Sequence, residues 1–407
     1  MDCLQMNKSV GFKITLSLAS IVALGPAAID MYLASMPNMA KDLHSSYAAT
    51  QMTLTVFLMF MGLGQLIFGP LSDAIGRRRP LLLGLITYLI AALWAASANS
   101  LDSLILARVI QGIGASMAIV VVMSMVRDLL DGAAAAQLYA LLNTIVALGP
   151  IVAPAIGGMI GAHYGWRGVM LVLALLAAAV LCNSVMNIKE SLPKAQRTQL
   201  NSKEVIHTYL SICKNRVFAF NLLALSAVYF FLFAYIGGSA YVYQTDFQLS
   251  LQQFGFVFGL TSVSLILGAS SSAYWVKKIA VTRLAMIGAL IMMLGCAVCI
   301  GAYLLSFGLL GIVAGISLGL FGLGILEATL MAIAMGSQRQ ALGASSALLG
   351  AFPMLLSSTA TPIAGRLVEM GTLYWLTVLG AIGPVILILV FLGARVPKYA
   401  TINHAHR

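Results

Sequence analysis

Charged residues are scarce in this sequence. Only 9% of its 407 residues are charged, whereas soluble globular chains carry about 25%. Hydrophobic residues make up 61% of the chain. This composition excludes a disordered chain, a coiled coil and a water-soluble globular protein. The five cysteines lie mostly in or beside apolar runs and exclude a secreted disulfide scaffold, so the composition indicates an integral membrane protein.

The sequence also lacks motifs for nucleotide hydrolysis and for catalysis. No GxxxxGK[ST] phosphate loop occurs, which argues against ATP-driven transport, and the histidines have no HExxH spacing. Cys296 and Cys299 form a CxxC inside an apolar run, where buried packing is favoured over metal or redox chemistry. His404 and His406 are interpreted as part of a solvated tail. We therefore expect neither an enzyme nor a bound metal or cofactor.

Twelve apolar runs are long enough to cross the ~30 Å hydrocarbon layer of a bilayer. They lack the short alternating pattern of barrel strands, so each is interpreted as a helix. The runs lie at 12–33, 47–70, 80–98, 104–126, 137–161, 168–188, 217–243, 253–276, 282–304, 307–334, 342–365 and 373–394. The sequence predicts an all-α membrane protein with twelve transmembrane helices, which we expect to be a monomer in the lipid bilayer.

Basic residues are distributed unevenly between the two sides of these runs. All lysines and arginines except Lys41, Arg108, Arg167 and Arg366 fall on the side that carries both termini. The positive-inside rule predicts that both termini are cytoplasmic, in a bacterial cell inner membrane. The net charge of +11 is then explained by anionic lipid, without nucleic acid as a partner.

A polar stretch divides the twelve runs into two groups of six. We predict an amino-terminal six-helix bundle over residues 1–190, a cytoplasmic linker over 191–215, and a carboxy-terminal six-helix bundle with a short cytoplasmic tail over 216–407. Two similar bundles suggest a duplication with a cavity between them near the middle of the membrane.

Charged residues are few within the apolar runs, where a charge costs several kcal/mol unless it is paired or faces water. Three of them stand out. Asp30 and Arg108 occur at similar depth, which favours a pair that lines a cavity, although Asp30 could instead lie at the headgroup level. Glu327 lies deeper in its run. It is interpreted as a second proton site or a substrate contact, with a structural hydrogen bond to a neighbouring helix as the alternative.

The turn after the second run has a distinctive motif, Gly-Pro-Leu-Ser-Asp-Ala-Ile-Gly-Arg-Arg-Arg at 69–79. The glycines allow tight turns, the aspartate can form a salt bridge at a helix end, and the arginines keep the turn inside. This turn resembles the signature loop of the major facilitator superfamily. The resemblance implies that Gly69, Asp73, Gly76 and Arg77 act in conformational switching.

Two further motifs resemble the same superfamily. Arg-Val-Ile-Gln-Gly-Ile-Gly-Ala at 108–115 is similar to its RxxQGxGA pattern, which implies proton coupling by Arg108. The segment at 149–158 resembles the antiporter motif with the second proline of the Bcr/CflA drug-resistance branch, although a generic packing helix is the alternative. The residues of this segment that the resemblance assigns to switching are Gly149, Pro150, Pro154, Gly157 and Gly158.

Asp-Met-Tyr-Leu at 30–33 also resembles that branch, which includes exporters of bicyclomycin and chloramphenicol. The resemblance implies that Asp30 carries the proton, and we add Glu327 as a possible second coupling site. The second half departs from the pattern, because residues 268–278 lack the acid and second glycine of the signature loop, and Glu327 stands where a neutral residue is expected.

Methionine and aromatic side chains would provide adaptable walls for lipophilic guests, although in membrane helices they also pack or face lipid. The candidate cavity residues are Tyr32, Phe57, Met117, Asn143, Tyr229, Phe233, Tyr235 and Phe352.

Together these patterns predict the major facilitator fold and a secondary active transporter. We expect export of amphipathic small-molecule drugs, of the chloramphenicol and bicyclomycin type or more broadly, by antiport with protons and alternating access. The alternative is a proton-coupled transporter of a natural metabolite such as a nucleoside or an amino acid. A transporter-like sensor is disfavoured because no signalling domain occurs.

Overall fold

The computed structural model describes residues 11–198, 200–338 and 341–395. Both chain termini lie outside these residues, as do His404 and His406 in the tail. The described α-helices are α1 (Phe12–Asp30), α2 (Met36–Asp42), α3 (Tyr47–Ile75), α4 (Arg78–Ala96), α5 (Leu101–Leu129), α6 (Gly132–Asn187), α7 (Ser202–Cys213), α8 (Arg216–Tyr241), α9 (Leu251–Trp275), α10 (Val281–Leu304), α11 (Gly308–Gly336), α12 (Leu342–Ser357), α13 (Ala360–Met370) and α14 (Thr372–Arg395).

Helix α6 accounts for two of the predicted membrane crossings. Its 56 residues would span about 84 Å at 1.5 Å per residue, far more than the hydrocarbon layer. One residue inside it, Gly165, has φ 65° and ψ −177°, a conformation that glycine adopts without a steric penalty. The described part of the chain contains 11 helical segments suited to crossing a membrane. Counting α6 as two confirms the predicted twelve.

Several element boundaries differ from the sequence prediction. The first crossing continues beyond residue 33 through a 3-10 turn, Leu33–Ser35, into α2. The single run predicted at 342–365 consists of α12 and α13. The linker contains α7, a helix whose amino-terminal end is capped by the Asn201 side chain accepting from the Glu204 amide. Hydropathy did not reveal α7 because it is short and only one of its faces packs on protein.

The helices form two packed groups, α1–α6 and α8–α14, called here the amino-terminal and carboxy-terminal halves. Two seams join them, one between α3 and the pair α12 and α13, the other between α6 and α9. Glycines permit close backbone approach in both seams. A side chain at Gly62 would meet the Ala351 carbonyl, and one at Gly255 would meet the Pro154 carbonyl.

The two ends of the bundle differ in how the halves meet. We call the end at which α3 ends and α4 begins the loop end, and its opposite the far end. At the far end, Tyr47 Oη and Gln51 Nε2 donate to the Gly237 carbonyl at 2.8 and 2.9 Å. Thr55 and Thr361 share a hydrogen bond of 3.0 Å. These bonds join the halves at the far end, whereas a cavity separates them towards the loop end.

Candidate functional site

The cavity between the halves, called here the central chamber, has a volume of about 510 Å³. Side chains of α3, α5, α6, α11 and α12 line it. Three of these side chains are Met123, Met331 and Met335, and two polar ones are Gln65 and Asn143. The chamber therefore combines a flexible apolar wall with a few polar groups, which suits an amphipathic guest.

A second cavity of about 340 Å³, called here the vestibule, lies between the chamber and the linker helix α7. It shares several lining residues with the chamber, among them Ser124, Arg127 and Gly343. Tyr209 of α7 donates to the Leu66 carbonyl of α3 at 3.2 Å. Burial, and to a smaller degree the Asp73 carboxylate, raise the pKa of the Tyr209 phenol, so it remains a hydrogen-bond donor at neutral pH.

Arg108 is completely buried within the amino-terminal half. Its guanidinium donates to the Gln111 side chain at 2.7 Å, the Ala28 carbonyl at 2.9 Å and the Thr53 carbonyl at 3.3 Å. Its Cζ lies 4.7 Å from the ring centroid of Tyr32 and 4.2 Å from that of Phe57. Neutral acceptors and aromatic faces therefore stabilise this buried cation, and they tie α1, α3 and α5 together.

Asp30 is the last residue of α1 and is only 2% exposed. Its Oδ1 has no hydrogen-bond partner, and no cation lies within salt-bridge distance of its carboxyl among the described residues. The prediction of a direct Asp30–Arg108 pair is therefore wrong for this conformation. The physical reason is that backbone carbonyls of α1 and α3 already occupy the guanidinium donors of Arg108.

Glu327 lies on α11 and accepts a hydrogen bond of 2.7 Å from Tyr229 Oη of α8. Its side chain is only partly buried. Met331 and Met335, which line the chamber, follow it at intervals of four residues and therefore lie on the same face of α11. This spacing puts Glu327 and Tyr229 one helical turn deeper in the membrane than Met331.

The other candidate cavity residues lie in different surroundings. Tyr32 and Phe57 contact Arg108, and Asn143 lines the chamber. Phe233 is 3% exposed, with its ring centroid 6.5 Å from that of Tyr229. Tyr235 belongs to a buried aromatic cluster.

Tyr235 stacks on Phe258 at a centroid distance of 5.4 Å and shares a 2.9 Å hydrogen bond with Thr261. Its ring also lies 6.4 Å from that of Trp375. In this conformation Tyr235 packs the carboxy-terminal half and does not contribute a wall of the chamber.

Two candidate cavity residues point elsewhere. Met117 packs against Gly84 of α4. Phe352 is 37% exposed and is not among the residues that line the chamber within the described ranges. Their assignment to the cavity is wrong in this conformation, because the rotation of a helix about its axis decides which side chains face inward and composition carries no information on that rotation.

The signature loop forms a charge network around Arg77, which is 4% exposed. Its guanidinium contacts Asp73 at 2.5 Å and Asp128 at 2.9 Å, and donates to Ser72 Oγ at 2.7 Å. Burial disfavours the charge, but Asp128 and Asp73 outweigh that effect and raise the pKa of Arg77. The network joins the loop ends of α3 and α5.

Glu190 extends this network to the end of α6. Its carboxylate accepts from the Arg77 amide at 2.7 Å and lies 3.6 Å from the Arg197 guanidinium. Gly76 adopts φ 100° at the same point, and a Cβ there would lie 2.6 Å from both the Arg197 and the Glu190 side chains. Gly69, at the start of the same motif inside α3, lines the vestibule.

Residues of the antiporter-like segment lie at close helix crossings. Gly149 packs against Pro26 of α1, and a side chain at Gly157 would collide with the Met31 carbonyl. Gly158 faces the Leu251 carbonyl of α9 in the same way. Pro150 and Pro154 both lie inside α6. The segment therefore contacts α1 next to Asp30 and also the opposite half.

Sequence reasoning missed Arg127, Met331, Met335 and the contribution of α7 to the vestibule. The sequence held a signal for Met331 and Met335, because their spacing places them on the same helix face as Glu327. For Arg127 no sequence signal distinguishes it from the other basic residues of the loop end.

Comparisons with known proteins agree with this architecture. The sequence profile of the Major Facilitator Superfamily matches residues 18–346. "Uncharacterized MFS-type transporter YdgK" of Bacillus subtilis (strain 168) is 32% identical, over 88% of this chain and 91% of its own length. The "Bicyclomycin resistance protein homolog" of Haemophilus influenzae is 28% identical, over 85% of this chain and 86% of its own length. "Multidrug resistance protein D" of Escherichia coli (strain K12) is 33% identical over 48% of this chain and 50% of its own length.

A solved structure shares the fold. The human organic anion transporter MFSD10 (TETRAN) superposes with a TM-score of 0.68, covering 93% of this chain and 99% of its own, at 17% sequence identity. The helix arrangement, the long match to the family profile and the full-length relative lead to one assignment. The chain belongs to the major facilitator superfamily of membrane transporters.

Proposed function

We propose that this transporter exports amphipathic drugs from a bacterial cell across the inner membrane in exchange for protons. The observation that carries the proposal is the asymmetry of the bundle: the halves are bonded together at the far end and separated by the chamber towards the loop end. The loop end carries the arginines of the signature loop, so the positive-inside rule assigns it to the cytoplasm. The conformation would then receive its substrate from the cytoplasmic side.

The chamber supports a drug-sized amphipathic substrate. Its volume of about 510 Å³ falls in the range of about 300–1,000 Å³ usual for small-molecule sites. Methionines adapt to guests of different shape. Names of relatives, a bicyclomycin resistance protein homolog and multidrug resistance protein D, favour the same substrate class.

Proton coupling is assigned to the buried charged residues Asp30 and Arg108 of the amino-terminal half. Asp30 has no partner for Oδ1, and an ionised carboxylate without partner or water is costly in a membrane. Arg108 binds the Ala28 carbonyl two residues before Asp30. A movement of α1 against α5 would change both environments together, which is how protonation of Asp30 would be linked to the change of access. Glu327 is the second candidate for this coupling.

Alternating access would then be a relative movement of two six-helix bundles, residues 1–190 and 216–407, connected by the cytoplasmic linker 191–215. The seams at α3 and α6 are the surfaces about which they would move. A single chain contains both bundles and the chamber, so a monomer is the working unit in this proposal.

Everted membrane vesicles test the function. Respiration acidifies their interior, and a pH-sensitive dye reports proton release when substrate is added. We expect chloramphenicol to release protons from vesicles that contain the chain and not from vesicles without it. If a panel of drugs releases none, while nucleosides or amino acids do and growth on them changes, the metabolite alternative replaces this proposal.

A further inference from the structure

Arg127 lies where the central chamber meets the vestibule. It is on α5, two residues before the helix ends at Leu129, and it lines both cavities. Its Nη2 donates to Ser124 Oγ at 3.2 Å. Its Nη1 lies close to Gly343 of the opposite half, where an added Cβ would be 2.7 Å away. The guanidinium is thus held at the mouth of the chamber, against the small residues of α12.

This arginine has no ionic partner in the described part of the chain, since no carboxylate lies within 4.0 Å of it. It is also the only charged residue among the described residues that line the chamber. The vestibule contains two carboxylates. Asp73 is already paired with Arg77, and Glu204 lies 3.5 Å from the Asn201 amide. The charge of Arg127 is therefore available to an anionic group that enters the chamber.

The opposite charge lies beyond the residues that line the chamber, one helical turn deeper than Met331 on the same face of α11. Glu327 is nine residues from the end of α11 at Gly336, which corresponds to about 14 Å along the helix. Arg127 is about 3 Å from the end of α5 by the same measure. With the ends of α5 and α11 taken as level, the two charges are separated by about 10 Å in depth, and Met331 of the chamber wall lies between them along α11.

We propose that the chamber selects amphipathic zwitterions, with the anionic group at Arg127 and the cationic group at Glu327. This inference rests on the proposed function, because it takes the chamber to be the drug site. A simple cation meets one attractive and one repulsive charge, and so does a simple anion. A zwitterion of about 10 Å charge separation satisfies both ends, while its apolar body contacts the methionines.

Equilibrium binding to the purified full chain in detergent tests the inference with three related quinolones at neutral pH. Norfloxacin carries a carboxylate and a protonated amine, its ethyl ester carries the amine only, and nalidixic acid carries the carboxylate only. We expect norfloxacin to bind most tightly. Arg127→Gln should weaken norfloxacin and nalidixic acid by about tenfold and leave the ester unchanged or tighter. Glu327→Gln should weaken norfloxacin and the ester by about tenfold and spare nalidixic acid.

Three variants serve as controls. Arg283→Gln removes an exposed charge on α10 away from the chamber and should leave all three affinities unchanged. Arg127→Lys keeps the charge and should retain most of the affinity for norfloxacin. Tyr229→Phe removes the hydrogen bond of Glu327 but keeps its charge, so it should preserve the order of the three ligands. The inference would be overturned if Arg127→Gln and Glu327→Gln lowered the affinity for all three ligands equally, or if the parent protein did not prefer norfloxacin.

The vesicle assay separates this inference from the proposed function. Chloramphenicol is uncharged, so proton release on its addition tests drug antiport without involving the charges of Arg127 or Glu327. If chloramphenicol releases protons and the quinolones show no charge selectivity, only the zwitterion inference fails. If the selectivity is present and no drug releases protons, the coupling to protons fails and the inference about the chamber stands.

Discussion

The two halves of this transporter differ in how their charged side chains are paired. Every salt bridge among the described residues, four in all, lies in the amino-terminal half and the linker. In the carboxy-terminal half, residues 268–278 are the counterpart of the signature loop. There Lys278 donates to Tyr274 Oη at 2.8 Å and lies 4.6 Å from the Tyr274 ring centroid. One half holds its loop with directed ion pairs, and the other holds it with an exposed aromatic contact.

The difference has an energetic meaning. Arg77–Asp128 is the largely buried pair of this half, and removing one partner from a buried ion pair costs about 3–5 kcal/mol because the other charge is left without compensation. An exposed cation–aromatic contact contributes about 0.5–1 kcal/mol. Changes of charge around Arg77 should therefore have a strong effect, and changes at the corresponding carboxy-terminal positions a weak one. On the proposed mechanism, we therefore expect control of the conformational change in the first half.

Asp30→Asn is expected to have the largest effect, abolishing drug-driven proton release. The amide cannot carry a proton, and it is nearly isosteric, so the fold should be retained. Vesicle measurements check this, with Asp102→Asn as a matched control because Asp102 is exposed at the start of α5. Undiminished proton release in Asp30→Asn would show that Asp30 is not part of the coupling mechanism. It would also contradict the expectation that charge changes in the amino-terminal half have the larger effect.

Arg108→Lys should lower transport by about tenfold and change its pH profile. Lysine cannot reproduce the planar set of donors that reaches Gln111, Ala28 and Thr53. The control is Arg167→Lys, a substitution at a partly exposed site over the Trp166 ring. An unchanged pH profile together with weaker binding of anionic substrates alone would assign Arg108 to the substrate and not to coupling.

Asp73→Asn should slow turnover a few-fold and leave drug affinity within a few-fold. Arg77 keeps its contacts to Asp128 and Ser72 in this variant, so the network is weakened and not lost. Stopped-flow turnover and equilibrium binding measure the two quantities separately. Asp131→Asn, an exposed acid of the same end, is the control. A large loss of affinity in folded protein would contradict a role in switching.

Lys278→Gln should have the smallest effect, with transport within about twofold of the parent. Its cation–aromatic contacts are exposed and contribute little. The same turnover assay measures this effect. Arg395→Gln, which removes another cation from an aromatic ring of this half, is a second test of such contacts. A reduction as large as that of Asp73→Asn would mean that switching is shared by both halves.

Much of the fold could be predicted because membrane crossing depends on local composition. The twelve apolar runs, and the charges of Asp30, Arg108 and Glu327 inside them, were visible directly, since each intramembrane charge carries a cost that sequences rarely accept. The predicted break between the fifth and sixth runs, at 162–167, contains Gly165, where the helix direction changes. α6 remains helical except at Gly165, because a single residue with positive φ redirects the chain without a loop.

The functional site was predicted unevenly. The functional roles given to Asp30, Arg108 and Glu327 remain predictions, and the pair of Asp30 with Arg108 was not found, since Arg108 binds carbonyl groups. Tyr235 packs within one half and Met117 faces α4, although both belong to residue types suited to a cavity. Arg127, the charge at the chamber mouth, was indistinguishable in sequence from other basic residues at the loop end.

The sequence by itself determined that this chain crosses a membrane twelve times, which charges are buried there, and which turn carries the signature motif. These are properties of a residue and its near neighbours along the chain. Only the tertiary structure decided that Arg108 binds carbonyl groups, that Arg127 faces the chamber, and that the halves meet at the far end. Successive residues of a helix point about 100° apart, so the partner of each side chain depends on the rotation and approach of helices that are distant in sequence.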